Sequence, residues 1–214
     1  MSMERQQSFG EESVNAVSHG LGTLLAIAAV PLLVWRASTH GATGDIAAAS
    51  VFAGSLVLLY AMSTLYHALP AGRSKLWFKR LDHAAIYVLI AGSYTPFTLG
   101  VLQGGWGWTL LTLVWAMAAF GVAIKLMNRL NHRLVSTGLY LTMGWLVVVA
   151  AGPLVSRLPG PGLALLVAGG LSYTLGAFVF LLDDRIRYSH FVWHLFVLGG
   201  SVCHFFAALR YAYG

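Results

Sequence analysis

Seven long runs of apolar residues follow one another along this chain, separated by short polar segments. A helix that crosses the hydrocarbon core of a bilayer needs about 20 mostly apolar residues, and each run has roughly that length. The apolar residues are continuous rather than alternating with polar ones, which favours α-helices over the strands of a membrane β-barrel. The pattern therefore predicts an all-α fold, a bundle of seven transmembrane helices. These helices cover approximately residues 16–35, 46–67, 82–101, 106–124, 134–151, 163–182 and 190–211.

Residues that favour turns stand between the predicted helices. They are Gly41 and Gly44, residues 70–72, Gly104 and Gly105, residues 128–132, residues 159–162, and Asp183 with Asp184. Pro96 falls inside the third predicted helix and should kink it, because proline cannot donate the backbone hydrogen bond. The sequence has no linker, low-complexity segment or visible repeat, so residues 1–214 are predicted to form a single membrane domain.

The composition supports this interpretation. The chain is 58% hydrophobic and 9% charged, whereas soluble domains carry about 25% charged residues. A single cysteine, Cys203, excludes an internal disulfide bond and a zinc module built from two or four cysteines. Glu4, Glu11 and Glu12 precede the first apolar run, so we expect a short amphipathic or disordered lead-in rather than a cleaved signal peptide.

The basic residues predict how the bundle is oriented. The formal net charge is +6, and the lysines and arginines lie mainly in the short segments between apolar runs. One predicted side carries Arg5, Arg73, Lys75, Lys79, Arg80, Lys125, Arg129, Arg133, Arg185 and Arg187. The other side carries Arg36, Arg157 and Arg210. Because positively charged loops favour the cytoplasm, the N-terminus is predicted inside and the C-terminus outside. This topological role accounts for the basic charge, and no nucleic-acid partner is expected.

Several ionisable side chains lie within or beside the predicted helices, where they are energetically costly and are candidates for function. Ser63 and His19 are weaker candidates. The main candidates are His67, Asp82, His83, His190 and His194. The predicted topology places these five at one depth, near the cytoplasmic face.

The spacing of three of these histidines is compatible with a metal site. His190 and His194 are one helical turn apart and share a face, and His67 can approach from the second helix. Three histidine ligands that leave one position open are typical of a catalytic zinc site, although imidazoles also bind other first-row metals. Asp82 could then accept a hydrogen bond from the metal-bound water or act as general base, and Ser63 could orient a water molecule or a substrate carbonyl. A hydrogen-bonded polar cluster without metal explains the spacing equally well.

The remaining histidines and the terminal aromatic residues have simpler explanations. His19, His40 and His132 are expected to be interfacial, and His204 is expected to hydrogen-bond between helices. His83 follows Asp82 directly and so points about 100° away around the helix. Anchoring at the membrane interface explains Trp77, Trp106, Trp108 and Tyr211.

Three short motifs at these positions resemble those of a known family. They are Ser-x-x-x-His at residues 63–67, Leu-Asp-His-Ala-Ala-Ile at 81–86, and His-x-x-x-His at 190–194. The stretch Glu-Ser-Val-Asn-Ala-Val-Ser-His-Gly at 12–20 is also typical of the bacterial members. In their order and spacing, the motifs resemble the hemolysin III branch of the progestin and adiponectin receptor family, over nearly the whole chain.

The resemblance implies properties that spacing alone does not establish. It implies that zinc is bound by His67, His190 and His194, that Asp82 contacts the zinc through water, and that Ser63 belongs to the same site. The wider group includes alkaline ceramidases, so the implied chemistry is zinc-dependent hydrolysis of lipid amides or esters. The implied partners are membrane lipid and a lipid-like substrate or ligand, and the implied location is the bacterial inner membrane, which the chain crosses several times.

Two other functions stay open alongside the enzyme. One is a membrane sensor or receptor-like protein with structural zinc, although the family's receptors carry an extended N-terminal domain that is not expected here. The other is a pore-forming or haemolytic protein. It ranks last because a conducting path needs polar residues at several depths, and the outer half offers little beyond Ser172, Thr174 and His204.

Overall fold

The protein is a bundle of long α-helices in the computed structural model, which describes residues 5–130 and 132–213. Seven helical segments of the described chain are long and apolar enough to cross a membrane, which confirms the predicted fold. Five of them are single helices: α1 (Phe9–His40), α2 (Thr43–Ala68), α4 (Gly104–Leu126), α7 (Gly160–Phe180) and α8 (Ser189–Tyr211). The third consists of α3 (Arg73–Pro96) and a π-helical turn (Phe97–Leu102). The fifth consists of α5 (Arg133–Trp145), a 3₁₀ turn (Leu146–Ala150) and α6 (Ala151–Arg157).

Two helices begin well before the positions that hydropathy indicated. Helix α1 starts at Phe9, because Ser8 and Glu11 form a reciprocal capping box. The expectation of a separate lead-in is therefore wrong for residues 9–15, which include Glu11 and Glu12. Helix α3 starts at Arg73 rather than near residue 82, so the basic residues assigned to a loop occupy its first turns.

The helical hydrogen-bond pattern changes in two places. After Pro96, α3 continues as a wider π-helical turn, Phe97–Leu102. The fifth span, predicted as continuous, is interrupted after Trp145, and Tyr94 from α3 stabilises the break. The Tyr94 hydroxyl lies 2.7 Å from the carbonyl of Gly144 and accepts a hydrogen bond of 2.9 Å from the amide of Val147. This side chain pairs backbone groups that the break frees.

The order in which the helices pack determines where the site lies. Helices α1 to α4 pack successively against one another, and α8 packs against both α1 and α7. Small residues permit close approach of the backbones. Gly92 of α3 faces Ser55 of α2, for example, and Gly121 of α4 faces the ring of Tyr87. This arrangement brings the start of α1, the end of α2 and the start of α8 together at one end of the bundle.

Candidate metal centre

Three buried histidines meet where α2 ends and α8 begins. His67 is 3% exposed, His190 is 7% exposed and His194 is 1% exposed. One ring nitrogen from each lies within 4.8 Å of the others, and no other described group of at least three His, Cys, Asp or Glu side chains converges in this way. The ring pairs are inclined at 62–72° to one another, with centroids 4.8–5.1 Å apart. The sequence prediction that these residues converge therefore agrees with the structure.

Each of the three rings has its Nδ1 atom hydrogen-bonded to a different segment of the chain. His67 Nδ1 lies 2.7 Å from the carboxylate of Glu12, and His190 Nδ1 lies 3.1 Å from that of Asp183. His194 Nδ1 lies 3.0 Å from the hydroxyl of Ser18.

These partners determine which ring nitrogen carries the hydrogen. Carboxylates only accept hydrogen bonds, so Nδ1 of His67 and Nδ1 of His190 are the donors. Ser18 donates its own hydrogen to the carbonyl of Asn15, at 2.9 Å, and therefore accepts from Nδ1 of His194. In each neutral ring the lone pair is then left on Nε2, which is the atom available to a metal ion.

The unpaired nitrogens fit a metal ion. Nε2 of His67 is buried without any hydrogen-bond partner in the described structure. A buried polar atom of this kind is costly unless something else binds it. Three neutral imidazoles with free Nε2 lone pairs form a donor set that zinc and other first-row metals accept. The residues therefore fit a metal ion and do not specify which one.

Asp183 anchors this cluster from the segment between α7 and α8. Its carboxylate accepts hydrogen bonds from His190, from the hydroxyl of Ser189 and from the amide of Gln7. Burial raises the pKa of Asp183, but the hydrogen bond from His190 and the charge of Arg133 outweigh it, so the pKa lies below the ordinary value. Asp183 was predicted only as a turn residue.

Asp82 and Ser63, the two predicted catalytic residues, face the same cavity as the histidines. Asp82 is buried and has Ser63, His190 and Lys79 as polar neighbours. It does not belong to the group of convergent nitrogen donors. The Ser63 hydroxyl is buried beside the Asp82 carboxyl group. The two residues are thus positioned beside the histidine cluster rather than within it.

His19 does not lie at the interface as expected. It is buried, and its ring is parallel to that of His194, with the centroids 3.4 Å apart and the planes inclined by 9°. Both of its ring nitrogens are buried without partners in the described structure. His40 and His132 are exposed, in agreement with the interfacial interpretation. His204 hydrogen-bonds to the carbonyl of Gly200 in its own helix, not to another helix.

Sequence reasoning therefore missed Glu12 and Ser18 as partners of the histidines, together with the burial of His19. All three lie at residues 12–20, the stretch that was noted only as typical of a family. One signal was available, because Glu12, Asn15 and His19 follow the spacing of one helical face. That face is turned inward at the end of the bundle that holds the histidines.

A cavity of about 2260 Å³ extends from the histidine cluster through much of the bundle. Helices α2, α3, α7 and α8 and the fifth span contribute side chains to its wall. Several apolar side chains that line the cavity are about half exposed, among them Trp145, Val148, Val155 and Val167. They belong to the fifth span and to α7.

Comparison with known proteins gives consistent matches over nearly the whole chain. A family model described as "Haemolysin-III related" matches residues 7–205. Hemolysin-3 of Bacillus cereus is 44% identical over 210 residues, covering 98% of this chain and 95% of that protein. The hemolysin-3 homolog of Bacillus subtilis is 44% identical over 201 residues, covering 94% of both proteins.

More distant relatives include an animal protein. The human monocyte to macrophage differentiation factor is 30% identical over 215 residues, covering 95% of this chain and 85% of that protein. No solved structure matches significantly. The family match and the bacterial relatives cover the segments that carry the histidine cluster and its hydrogen-bond partners. This multi-pass membrane protein therefore belongs to the hemolysin III family, the bacterial branch of the progestin and adiponectin receptor family.

Proposed function

We propose that this protein is a zinc-dependent hydrolase of lipid amides or esters in the bacterial inner membrane. The observation that carries the proposal is the buried cluster of His67, His190 and His194, in which each Nδ1 is hydrogen-bonded and Nε2 of His67 has no partner in the described structure. A buried carboxyl group, that of Asp82, faces the same cavity. Three imidazole ligands beside a carboxyl group that can act as general base are suited to metal-dependent hydrolysis of an amide or ester.

The chain's own side chains have distinct roles in this proposal. His67, His190 and His194 would hold a zinc ion, which supplies Lewis-acid polarisation of a carbonyl group and acidification of water. Asp82 would accept a proton from the attacking water and return it to the leaving amine or alcohol. The buried hydroxyl of Ser63 would hydrogen-bond to the water or to the carbonyl oxygen. Hydrolysis consumes one water and releases a fatty acid.

The shape of the cavity supports a lipid as substrate. Its wall is largely apolar and includes half-exposed side chains such as Val148 and Val167. A long acyl chain would therefore be accommodated in this cavity, and it would enter from the hydrocarbon core of the membrane. The polar head of the substrate would stay near the end of the bundle where the histidines lie. Membrane lipid is accordingly both the environment and the source of substrate.

Metal analysis of the purified protein tests the proposal first. We expect about one zinc ion per chain by elemental mass spectrometry, with the metal lost in His67→Ala and His194→Ala and retained in His40→Ala. Absence of metal after zinc is supplied would exclude the hydrolase. Asp82→Asn should then retain zinc and lose turnover of long-chain acyl amides and esters. Unchanged turnover in that variant would exclude Asp82 as the base.

A second function, a sensor or receptor-like protein with structural zinc, is favoured by the origin of the ligands. They come from α2 and α8, and their partners come from α1 and from the segment before α8. A metal ion would therefore fasten α2 to α8, and hydrogen bonds from its ligands would attach α1 to the pair. In this case loss of zinc lowers the thermal stability, and no lipid amide or ester is hydrolysed by the zinc-loaded protein.

A further inference from the structure

The cavity contains a second group of polar side chains, remote from the histidine cluster. His204 lies on α8, ten residues beyond His194, which corresponds to about 15 Å along the helix axis. Its ring lines the cavity and is only partly buried. It packs against Gly169 of α7, where a side chain would collide with the ring. His204 is not one of the side chains to which the proposed hydrolysis assigns a role.

The hydrogen bond of His204 leaves one nitrogen available to a ligand. Nδ1 lies 2.9 Å from the carbonyl oxygen of Gly200, which can only accept, so Nδ1 carries the hydrogen. In the neutral ring Nε2 is therefore an acceptor. The structure records no hydrogen bond to Nε2 from any described residue. His204 thus presents an acceptor in a part of the cavity that is mostly apolar.

A chain of hydroxyl groups places a donor beside it. Tyr60 donates to Ser201 at 2.7 Å, and the hydroxyls of Ser201 and Tyr173 are 2.9 Å apart. Since Ser201 accepts from Tyr60, it can pass its own hydrogen to Tyr173, which leaves the hydrogen of Tyr173 free. Tyr173 also lines the cavity, and its ring centroid is 5.4 Å from that of His204. The ring that carries the donor and the ring that carries the acceptor therefore lie in the same part of the cavity wall.

We propose that His204 and Tyr173 form a subsite for a hydroxyl group on the acyl chain of the lipid. A hydroxyl can donate to Nε2 of His204 and accept from Tyr173 at the same time, whereas an unsubstituted chain leaves both groups unpaired. With the acyl carbonyl at the histidine cluster, the hydroxyl lies about 15 Å along the chain. The position of the acyl carbonyl at the histidine cluster rests on the proposed function. The further inference is that lipids with a hydroxylated acyl chain are preferred over lipids with an unsubstituted chain.

Binding of fatty acids, the products of the proposed reaction, tests this subsite without depending on turnover. The probes are a saturated long-chain fatty acid and its monohydroxylated positional isomers, titrated into the purified full-length protein. We expect one mid-chain isomer to bind about tenfold more tightly than the unsubstituted acid, equivalent to about 1.4 kcal/mol. Isomers with the hydroxyl near the carboxylate or near the methyl end should show no such preference.

Two variants attribute the preference to the subsite. His204→Phe and Tyr173→Phe each retain a ring and remove one hydrogen-bonding group, and each should abolish the preference while leaving affinity for the unsubstituted acid unchanged. Ser172→Ala is the matched control, because Ser172 bonds to the carbonyl of Phe196 and does not line the cavity. It should retain the preference. If His204→Phe does not fold, the subsite is tested by Tyr173→Phe together with the affinities of the wild type for the hydroxylated and unsubstituted acids.

The outcomes separate this inference from the proposed hydrolase. Equal affinities for all isomers in the wild type, or a preference that persists in both variants, would overturn the subsite even if lipid amides are hydrolysed. A preference that is lost in the variants would support the subsite, including in a protein that hydrolyses nothing.

Discussion

Every histidine of the cluster has its Nδ1 atom fixed by a residue from elsewhere in the chain. Glu12 fixes His67, Ser18 fixes His194 and Asp183 fixes His190. Partners of this kind select the tautomer and orient the ring, and removing one typically costs 10–100-fold in metal affinity. The cluster is therefore assembled by the start of α1 as much as by the helices that carry the histidines.

Replacement of Glu12 tests this dependence. In Glu12→Ala, His67 loses its acceptor, and the ring is free to rotate or to adopt the other tautomer. We expect zinc affinity to fall about 10–100-fold, measured by competition with a chromogenic chelator. Ser13→Ala is the control, because Ser13 is one residue away and its hydroxyl bonds only to the carbonyl of Phe9. Equal affinity in the two variants would contradict the orienting role of Glu12.

The histidines themselves could be predicted from sequence, but their partners could not. His190 and His194 are one turn apart, and hydropathy alone places His67 at the same depth, so local periodicity and topology suffice. The bonds of Glu12 and Ser18 span 55 and 176 residues of sequence. They depend on the early start of α1 at Phe9, which hydropathy did not indicate because this part of the helix is polar.

At the scale of helices, the start of α1 is attached to the start of α8 through Glu11. This carboxylate is 2% exposed, pairs with Arg5 and accepts a hydrogen bond of 3.0 Å from the amide of Tyr188. Tyr188 precedes α8 and has a positive φ of 61°, a conformation that non-glycine residues rarely adopt. The hydrogen bond that the Tyr188 amide donates to Glu11 compensates for part of that cost and holds the segment before α8.

Loss of Glu11 should release this segment. Removing one partner of a buried ion pair costs about 3–5 kcal/mol, and the cost is smaller here because the Arg5 side chain is 28% exposed. In Glu11→Ala we expect trypsin to cleave after Arg185 and Arg187 several times faster than in the wild type, as measured by mass spectrometry of the fragments. A cleavage rate equal to that of Ser13→Ala would disprove the attachment.

Close packing of α2 against α3 gives a second prediction for the helices. A methyl group added at Gly92 would lie 2.7 Å from Cβ of Ser55, whereas one added at Gly54 would meet nothing within 4 Å. Overpacking usually costs about 1–3 kcal/mol, and α2 and α3 carry Ser63, His67 and Asp82. Gly92→Ala should lower the thermal midpoint in detergent, and Gly54→Ala should leave it unchanged or raise it slightly. Similar midpoints would contradict the packing.

The number of membrane spans was predictable, but the shape of the fifth span was not. Seven apolar runs of sufficient length define seven spans, because lipid leaves the backbone few alternatives to the helix. The interruption after Trp145 depends on Tyr94, whose hydroxyl pairs with the freed backbone groups of Gly144 and Val147. Such a long-range contact leaves no signal in the hydropathy of residues 134–151.

For the whole molecule, the basic residues are divided unequally between the two ends of the bundle. The end that holds the histidine cluster includes most of the lysines and arginines, and the opposite end has only Arg36, Arg157 and Arg210. Two of these three are bonded to backbone carbonyls, Arg36 to that of Leu209 and Arg157 to that of Leu102. The asymmetry predicts that the histidine cluster opens toward the cytoplasm.

Cysteine labelling in whole cells tests this orientation. With Cys203→Ala as background, Ser74→Cys places a thiol at the basic end and Ser38→Cys places one at the opposite end, both at exposed positions. A membrane-impermeant maleimide should label Ser38→Cys in intact cells and should label Ser74→Cys only after permeabilisation. The reverse pattern would place the histidine cluster on the outer face. Since the two variants share a background and a substitution type, each controls for expression and thiol reactivity in the other.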